Sequence, residues 1–223
     1  MPYAWDEDVL TQLQALQLAP HRPLIVTDAD EVLVQFISGL ERYLERNGYW
    51  LDLKSFAITG NVRRRGENEP LGHEQVQELL AAFFAADTAM LEPVEGAAEA
   101  LRALHPRAQI LVLSNVPPGQ AQTRRNWLAR HGMDYPLIAN SGSKGEPLRH
   151  LAGRIEAPLF FLDDLPPHLD AVAAKAPEAH LLHFIAHPRL AALVGAAENY
   201  HLRTSNWPEA RLFIEQRLDA LGF

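Results

Sequence analysis

The chain has 223 residues, of which 48% are apolar and 22% are charged, and this composition excludes a disordered chain, a coiled coil and a collagen-like fibre. It contains no cysteine, which excludes disulfides and thiolate zinc sites. Lysine and arginine number 20 against 28 aspartates and glutamates, and the resulting net charge of −8 argues against non-specific binding to nucleic acid.

Membrane and export signals are also missing from the sequence. No apolar run approaches the roughly 18 residues that suggest a membrane-spanning helix. The first ten residues, MPYAWDEDVL, are acidic and lack the apolar stretch of a signal peptide. We therefore expect a cytoplasmic protein with neither a membrane nor a nucleic-acid partner, while its oligomeric state is left open.

Short apolar runs alternate with longer amphipathic segments along most of the chain. The short runs predict buried strands, and the segments with a spacing near 3.6 residues predict helices. The predicted strands are 24–26, 110–113, 137–139, 159–162, 180–185 and 200–203. The predicted helices are 6–18, 33–46, 73–86, 94–105, 119–131, 145–155, 166–176, 188–197 and 208–221.

This alternation predicts a parallel sheet that is covered by helices on both faces. With right-handed crossovers, the fold class is α/β, a three-layer, doubly wound, Rossmann-like sheet. Segment 34–92 departs from the pattern, because it contains helical segments and an irregular basic loop but no buried-strand run. We predict a small, mostly helical insertion over 34–92, within a core formed by 1–33 and 93–223.

Polar side chains follow four of the predicted strands, at the edge where sheets of this kind bind ligands. They are Asp28, Asp30, Ser114, Asn115, Ser141, Ser143, Lys144, Asp163 and Asp164. Clustered carboxylates need a cation to stay ionised together, and a donor set of oxygen atoms alone suits Mg²⁺. A lysine and hydroxyl groups beside such a cluster suit a phosphate group.

The pair Asp28 and Asp30 has a specific use in phosphate chemistry. An aspartate can attack phosphorus, and a second one two residues later can pass a proton to the leaving group. Aspartates at strand ends also cap the following helix, and this alternative stays open for Asp163 or Asp164 taken alone. The convergence of the whole set on one edge favours a functional site.

Four segments occur in a fixed order across 24–164: LIVTDADEVL, ILVLSN, NSGSKGEPL and LFFLDD. In these segments the chain resembles the haloacid dehalogenase-like superfamily of hydrolases, and within it the phosphatases. Each motif alone is a weak signal, whereas four in order are a strong one. The presence of Asp30 disfavours a dehalogenase, because the superfamily's dehalogenases lack this second aspartate.

The resemblance implies a role for each motif residue. Asp28 would be the nucleophile, and Asp30 would be the general acid and base with its carbonyl on Mg²⁺. Ser114 would hold the phosphoryl oxygens, and Asn115 is either structural or a secondary phosphate contact. Lys144 would neutralise the charge that develops during transfer.

The acidic pair that ends the fourth motif would complete the metal site. By the same resemblance, Asp28 and Asp163 would ligate Mg²⁺ together with the Asp30 carbonyl, and Asp164 would ligate it through water or orient Lys144. Glu31 and Val32 stand where the superfamily's phosphatases often have glycine and threonine. We therefore expect the loop after the first strand to differ locally.

The implied function is an Mg²⁺-dependent phosphomonoesterase that acts on a small phosphorylated metabolite through an aspartyl-phosphate. Two alternatives stay open. A phosphotransferase or mutase would use the same intermediate with another acceptor. A member of the fold with weak catalysis would bind phosphate or a partner.

The basic run Arg63, Arg64 and Arg65 also permits two interpretations. It forms a solvated face or pairs within the chain with Glu67 and Glu69. Alternatively, the insertion is a cap over the active site, as inserts after the first motif are in this superfamily. One or more of these arginines would then hold an anionic group of the substrate.

Overall fold

A six-stranded parallel sheet is the centre of the computed structural model, which describes residues 7–86, 88–117 and 119–223. The strands of this described part are β1 (Leu24–Thr27), β2 (Tyr49–Leu51), β3 (Val62–Arg64), β4 (Gln109–Asn115), β5 (Leu137–Asn140), β6 (Leu159–Asp163), β7 (His180–Phe184) and β8 (Leu202–Thr204). The order across the sheet is β5, β4, β1, β6, β7, β8, and every neighbouring pair is parallel. The predicted doubly wound sheet is confirmed.

Helices cover both faces of this sheet. They are α1 (Glu7–Ala15), α2 (Phe36–Arg46), α3 (His73–Ala86), α4 (Ala97–Leu104), α5 (Ala121–Arg130), α6 (Gly145–Ala152), α7 (Pro166–Lys175), α8 (Pro188–Leu193) and α9 (Trp207–Leu221), with a 3₁₀ turn at Thr88–Met90. Successive strand residues face opposite sides, so Ile25 joins one apolar cluster and Leu24 and Val26 join the other. Helices α1, α6 and α7 contribute to the second cluster, and α4, α5, α8 and α9 contribute to the first.

The chain changes direction across the sheet at β1. It proceeds from β1 to β4 and β5 on one side, and then to β6, β7 and β8 on the other. Such a reversal opens a crevice at the carboxyl ends of the central strands, where α/β proteins bind their ligands. Thr27 pairs with both Val112 and Leu162, so the residues that follow β1 and end β6 lie side by side.

The insertion 34–92 contains helices α2 and α3, as predicted, and also a two-stranded antiparallel ribbon of β2 and β3. The expectation of helices and an irregular loop alone was therefore wrong. Each strand has three residues, too few for a period of two to be visible. Trp50 of β2 pairs with Arg63 of β3, whose guanidinium lies 5.8 Å from the Trp50 ring centre.

The insertion packs on the main sheet through apolar side chains. Phe36, Ile37 and Phe83 belong to the same buried cluster as Ile25 and Val112 of the sheet. The insertion and the sheet therefore share one apolar core. The division of the insertion from the core as a separate domain stays a prediction.

Several helices are shorter than predicted. Helix α1 covers Glu7–Ala15 where 6–18 was expected, and residue 6 lies outside the described part. Helix α2 starts at Phe36 because the amides of Val32, Leu33 and Val34 all donate to the Ala29 carbonyl in a tight turn.

No helix in the described ranges is both long and apolar enough to cross a membrane.

We expect Gly145, the first residue of α6, to be intolerant of a side chain. A Cβ there would lie 2.7 Å from the Ala171 carbonyl oxygen of α7, a backbone atom that cannot move alone. Gly145→Ala should lower the free energy of unfolding by about 1–3 kcal/mol, as overpacking usually does. Gly153→Ala is the matched control, because its Cβ would meet nothing closer than 3.7 Å. Urea unfolding measures both, and equal stability of the two variants would contradict the close packing of α6 on α7.

Candidate active site

The residues predicted from the strand ends gather at the carboxyl edge of the sheet. Asp28 follows β1 directly, Asn115 ends β4, and Asp164 follows β6. Together with Asp30 and Lys144 they line a cavity of about 160 Å³. The parallel register of the three central strands is what brings them to one place.

The Lys144 ammonium lies between two carboxylates. Its Nζ is 2.5 Å from Asp28 Oδ1 and 2.6 Å from Asp163 Oδ2, and 1% of its side chain is exposed. Burial alone would lower the pKa of Lys144, but the charges and hydrogen bonds of Asp163 and Asp28 outweigh it and raise the pKa above its ordinary value. The lysine therefore stays charged and fixes the direction of both carboxylates.

The acidic pair after β6 has two different environments. Asp163 is fully buried, and its second oxygen accepts a 2.9 Å hydrogen bond from the Leu165 amide. Asp164 lines the cavity, and its carboxylate accepts no hydrogen bond from the described residues. Burial, helped by the charges of Asp163 and Asp28, raises the pKa of Asp164 well above its ordinary value. Asp163 thus has its partners, while no described cation forms an ion pair with the Asp164 carboxylate.

His183 fixes the backbone of this pair and was missed by the sequence analysis. Its Nε2 lies 3.1 Å from the Asp164 carbonyl oxygen, to which it donates, and the Ala197 amide donates to its Nδ1 at 3.4 Å. The ring is completely buried in the sheet. The sequence places His183 within the predicted strand 180–185, and nothing in the local pattern indicates that its side chain contacts the end of another strand.

Asp30 pairs with a second cation, Arg124 of α5. Arg124 Nη2 is 2.6 Å from Asp30 Oδ1, and the guanidinium is buried, with no described partner at Nη1. Burial raises the pKa of Asp30, while Arg124 lowers it in part. Arg124 was also missed, although its spacing from Trp127 and Leu128 places it on the apolar face of α5.

Ser114 and Asn115, the last two residues of β4, place polar side chains on the strand next to β1. The Ser114 hydroxyl is buried, and no partner for it exists among the described residues. Asn115 lines the cavity and donates to the Gly142 carbonyl at 2.9 Å. The buried Asn140 side chain donates to the Asn115 oxygen at 2.6 Å and so fixes this amide. Asn140 is a further residue that the sequence analysis missed.

Comparison with known proteins places this arrangement in a fold. No family model and no curated protein matches the chain, but solved structures do. A haloacid dehalogenase family hydrolase from Deinococcus radiodurans with bound phosphate and sodium has a TM-score of 0.62 and 19% identity, over 89% of this chain and 97% of that one. This chain has the haloacid dehalogenase-like fold.

Two further structures with this fold show the same likeness. A haloacid dehalogenase-like hydrolase from Streptococcus pneumoniae has a TM-score of 0.59 and 10% identity, over 86% of this chain and 98% of that one. A predicted phosphoglycolate phosphatase from Haemophilus somnus has a TM-score of 0.56 and 12% identity, over 89% of this chain and the whole of the other. The three matches each cover 86–89% of this chain and 97–100% of the other chain.

Glu31, where we expected the loop after β1 to differ locally, has an unusual backbone conformation. Its φ is +61°, in the left-handed region that side chains rarely adopt. The carboxylate compensates, because it accepts hydrogen bonds from the Ile37 amide at 2.6 Å and the His187 amide at 3.1 Å. Burial raises the pKa of Glu31 to about 7. The side chain thereby joins the start of α2 to the loop after β7.

The three arginines of the insertion lie in and after β3. Arg63 Nη2 is 3.0 Å from Asp52 Oδ2, Arg65 donates to the Glu45 carbonyl at 3.4 Å, and Arg64 is exposed. None of the three is among the described residues that line the cavity. This placement favours pairing within the chain, with Asp52 in the role that Glu67 and Glu69 were expected to fill.

We expect Glu31→Gly to be more stable than Glu31→Ala. Both variants lose the carboxylate and leave the Ile37 and His187 amides without it, at a cost of about 1–3 kcal/mol. Alanine keeps the left-handed strain that glycine relieves, which should separate the two variants by about 1 kcal/mol. Urea unfolding at pH 8, where the carboxylate of the parent protein is ionised, measures the order. An alanine variant equal to or more stable than the glycine variant would contradict the strained conformation.

Proposed function

We propose that the protein hydrolyses phosphate monoesters through a phosphoryl group carried on Asp28, with Mg²⁺ as its cofactor. The observation that carries this proposal is the bridge from Lys144 to Asp28 and Asp163 at the cavity. The bridge holds the Asp28 carboxylate at the cavity, where it can attack a phosphorus atom. The fold alone would not support this conclusion, because many functions share it.

In the first step, an Asp28 oxygen forms a bond to phosphorus while the bond from phosphorus to the leaving oxygen breaks. Asp30 gives its proton to that leaving oxygen. Lys144 and the Asn115 amide stabilise the negative charge on the phosphoryl oxygens, and this stabilisation is the main need in phosphoryl transfer.

In the second step, water attacks phosphorus and Asp30 takes up the proton of that water. The bond from Asp28 to phosphorus breaks, which releases orthophosphate and restores the Asp28 carboxylate. Arg124 holds one Asp30 oxygen, so the other is left to carry the proton in both steps. Burial favours the protonated form of Asp30, as its first task requires.

The described residues fit Mg²⁺ by their charge and donor chemistry. Among the described residues Lys144 forms ion pairs with Asp28 and Asp163, and Asp164 lines the same cavity. The three carboxylates, when ionised, carry two more negative charges than this ammonium balances. No three acidic or histidine side chains of the described residues are placed to hold one ion together. Mg²⁺ needs no such group, since it commonly takes one or two carboxylates and keeps several waters.

We propose Asp28, Asp164 and the Asp30 carbonyl as the Mg²⁺ ligands. Both oxygens of Asp163 have protein partners, whereas the Asp164 carboxylate has none among the described residues. This assignment exchanges the roles that the sequence resemblance implied, so that Asp163 orients Lys144. When bound, Mg²⁺ neutralises charge on the phosphoryl group.

The phosphotransferase alternative needs a place for a second phosphorylated molecule or a second phosphate. The described residues of the cavity wall offer no cation for it beyond Lys144, which two carboxylates already hold. Hydrolysis is therefore the better supported reaction. The cytoplasmic location and the lack of nucleic-acid and membrane partners stay predictions from composition.

We expect Asp28→Asn to reduce the turnover of p-nitrophenyl phosphate by more than about 10³-fold, as removal of a nucleophile usually does. An amide does not attack phosphorus at a useful rate, and its similar shape should preserve the fold. Phosphate release in the presence of Mg²⁺ measures the loss, and circular dichroism verifies the fold. Activity within tenfold of the parent protein would contradict the role of Asp28.

We expect Asp164→Asn to change the Mg²⁺ requirement and Asp163→Asn to change the stability of the fold. Asp164→Asn should raise the Mg²⁺ concentration needed for half-maximal activity by about 10–100-fold without destabilising the fold. Asp163→Asn should instead lower the free energy of unfolding by about 3 kcal/mol, because it removes one partner of a buried lysine. Mg²⁺ titration of activity and urea unfolding in EDTA separate the two effects. A higher Mg²⁺ requirement for Asp163→Asn alone would restore the original assignment.

A further inference from the structure

The cavity beside Asp28 has two chemically different halves. The half at the sheet edge carries the charged and amide side chains that act on the phosphoryl group. The other half is mainly apolar, with Glu31 and His168 as the remaining polar residues of the lining; its apolar residues are Phe36, Ile37, Phe56, Ile58, Leu165 and Leu190. A monoester bound with its phosphorus at Asp28 must direct its alcohol part toward this second half.

The apolar half is held in place by its own packing. The Phe36 ring lies 5.4 Å from the Phe83 ring in an edge-on contact, and the Ile37 amide is fixed by the Glu31 carboxylate. Leu190 of α8 is buried, and Phe56 and Ile58 pack against the main apolar cluster from the loop between β2 and β3. This wall therefore exists before a ligand arrives, as most ligand sites do.

No described cation is available in this half to pair with a second anionic group. Lys144 is held by two carboxylates, and Arg124 is held by Asp30. Arg63 pairs with Asp52 away from the cavity wall. Burial lowers the pKa of His168 and so disfavours its charged form. A carboxylate or second phosphate placed here would lose its water without gaining a partner.

We infer that the substrate is a phosphate ester of a small, uncharged and mainly apolar alcohol. This inference rests on the proposed function and names the substrate class of the same site. The volume of about 160 Å³ sets the size, since an apolar cavity of about 150 Å³ holds one benzene-sized molecule. A phosphoryl group with a short alkyl group fits this limit, and the ring of an aryl ester would extend out of the cavity toward solvent. Sugar phosphates fit less well, because their hydroxyls would be left without partners against phenylalanine and isoleucine.

The test compares isobutyl phosphate with phosphoglycolate. Both esters carry a CH₂ group followed by a branch of three heavy atoms, which is an isopropyl group in one and a carboxylate in the other. We expect kcat/KM to be at least about tenfold higher for isobutyl phosphate, with the difference mainly in KM. A wild-type protein that prefers phosphoglycolate would overturn the inference.

A charge-insertion pair of variants tests the position of the apolar wall. Ile58→Lys places a cation at the cavity and should shift the kcat/KM ratio at least about tenfold toward phosphoglycolate, by supplying the missing partner. Thr59→Lys is the matched control, because Thr59 is exposed on the same loop and does not line the cavity. It adds the same charge and should leave the ratio within about twofold, since surface charges are screened. Equal shifts in the two variants would overturn the assignment of the wall.

The failure of the inference is distinguishable from the failure of the proposed function. Hydrolysis of p-nitrophenyl phosphate with Mg²⁺, together with a preference for phosphoglycolate over isobutyl phosphate, would overturn the substrate class alone. No hydrolysis of any of the three esters by a folded, Mg²⁺-loaded protein would overturn both. Hydrolysis with the expected preference, lost on Asp28→Asn, would support both.

Discussion

The contact of the Lys144 ammonium with Asp28 and Asp163 is the interaction on which the rest of the site depends. It joins three segments that are far apart in the chain: the end of β1, the start of α6 and the end of β6. Burying these charges is costly, and removal of one partner would leave another charge unpaired in a dry place. Gly145 takes part indirectly, because its lack of a side chain lets α6 approach α7 and so places Lys144.

Around this bridge, the negative charges of Asp30, Glu31 and Asp164 have different surroundings. These differences suggest a different role for each carboxylate. Asp30 has the buried guanidinium of Arg124, which suits a group that exchanges a proton and must keep its direction. Glu31 has two backbone amides and serves the conformation of the loop. Among the described residues Asp164 has neither, and burial beside Asp163 and Asp28 costs its ionised form stability and so raises its pKa. A bound cation would remove that cost.

Much of the fold followed from the sequence, because the strands of the main sheet are continuous apolar runs and their polar ends are conspicuous. Asp28, Asp30, Lys144 and Asp164 were predicted for this reason, and the structure brings them to one cavity. The ribbon of β2 and β3 was missed, since three-residue strands leave no periodic signal.

Contacts that depend on distant segments were not visible in the sequence. Arg124 pairs with a residue 94 positions earlier, and it stands next to Arg125 with nothing in the local composition to distinguish the two. Glu31 accepts from an amide 156 positions later, so its compensation for a left-handed conformation requires the folded chain. The roles of Arg124 on α5 and of the loop after β7 can be recognised only when the segments that contact them are known.

The most direct test of the account is to find the phosphoryl group on the protein. Asp30→Asn removes the general base and should slow hydrolysis of the intermediate, so this variant is mixed with p-nitrophenyl phosphate and Mg²⁺ and quenched in acid. Peptide mass spectrometry then locates any phosphorylated residue. The account predicts one phosphoryl group, on Asp28. A phosphoryl group on another residue, or nitrophenol release with an unmodified Asp28 at every quench time, would contradict it.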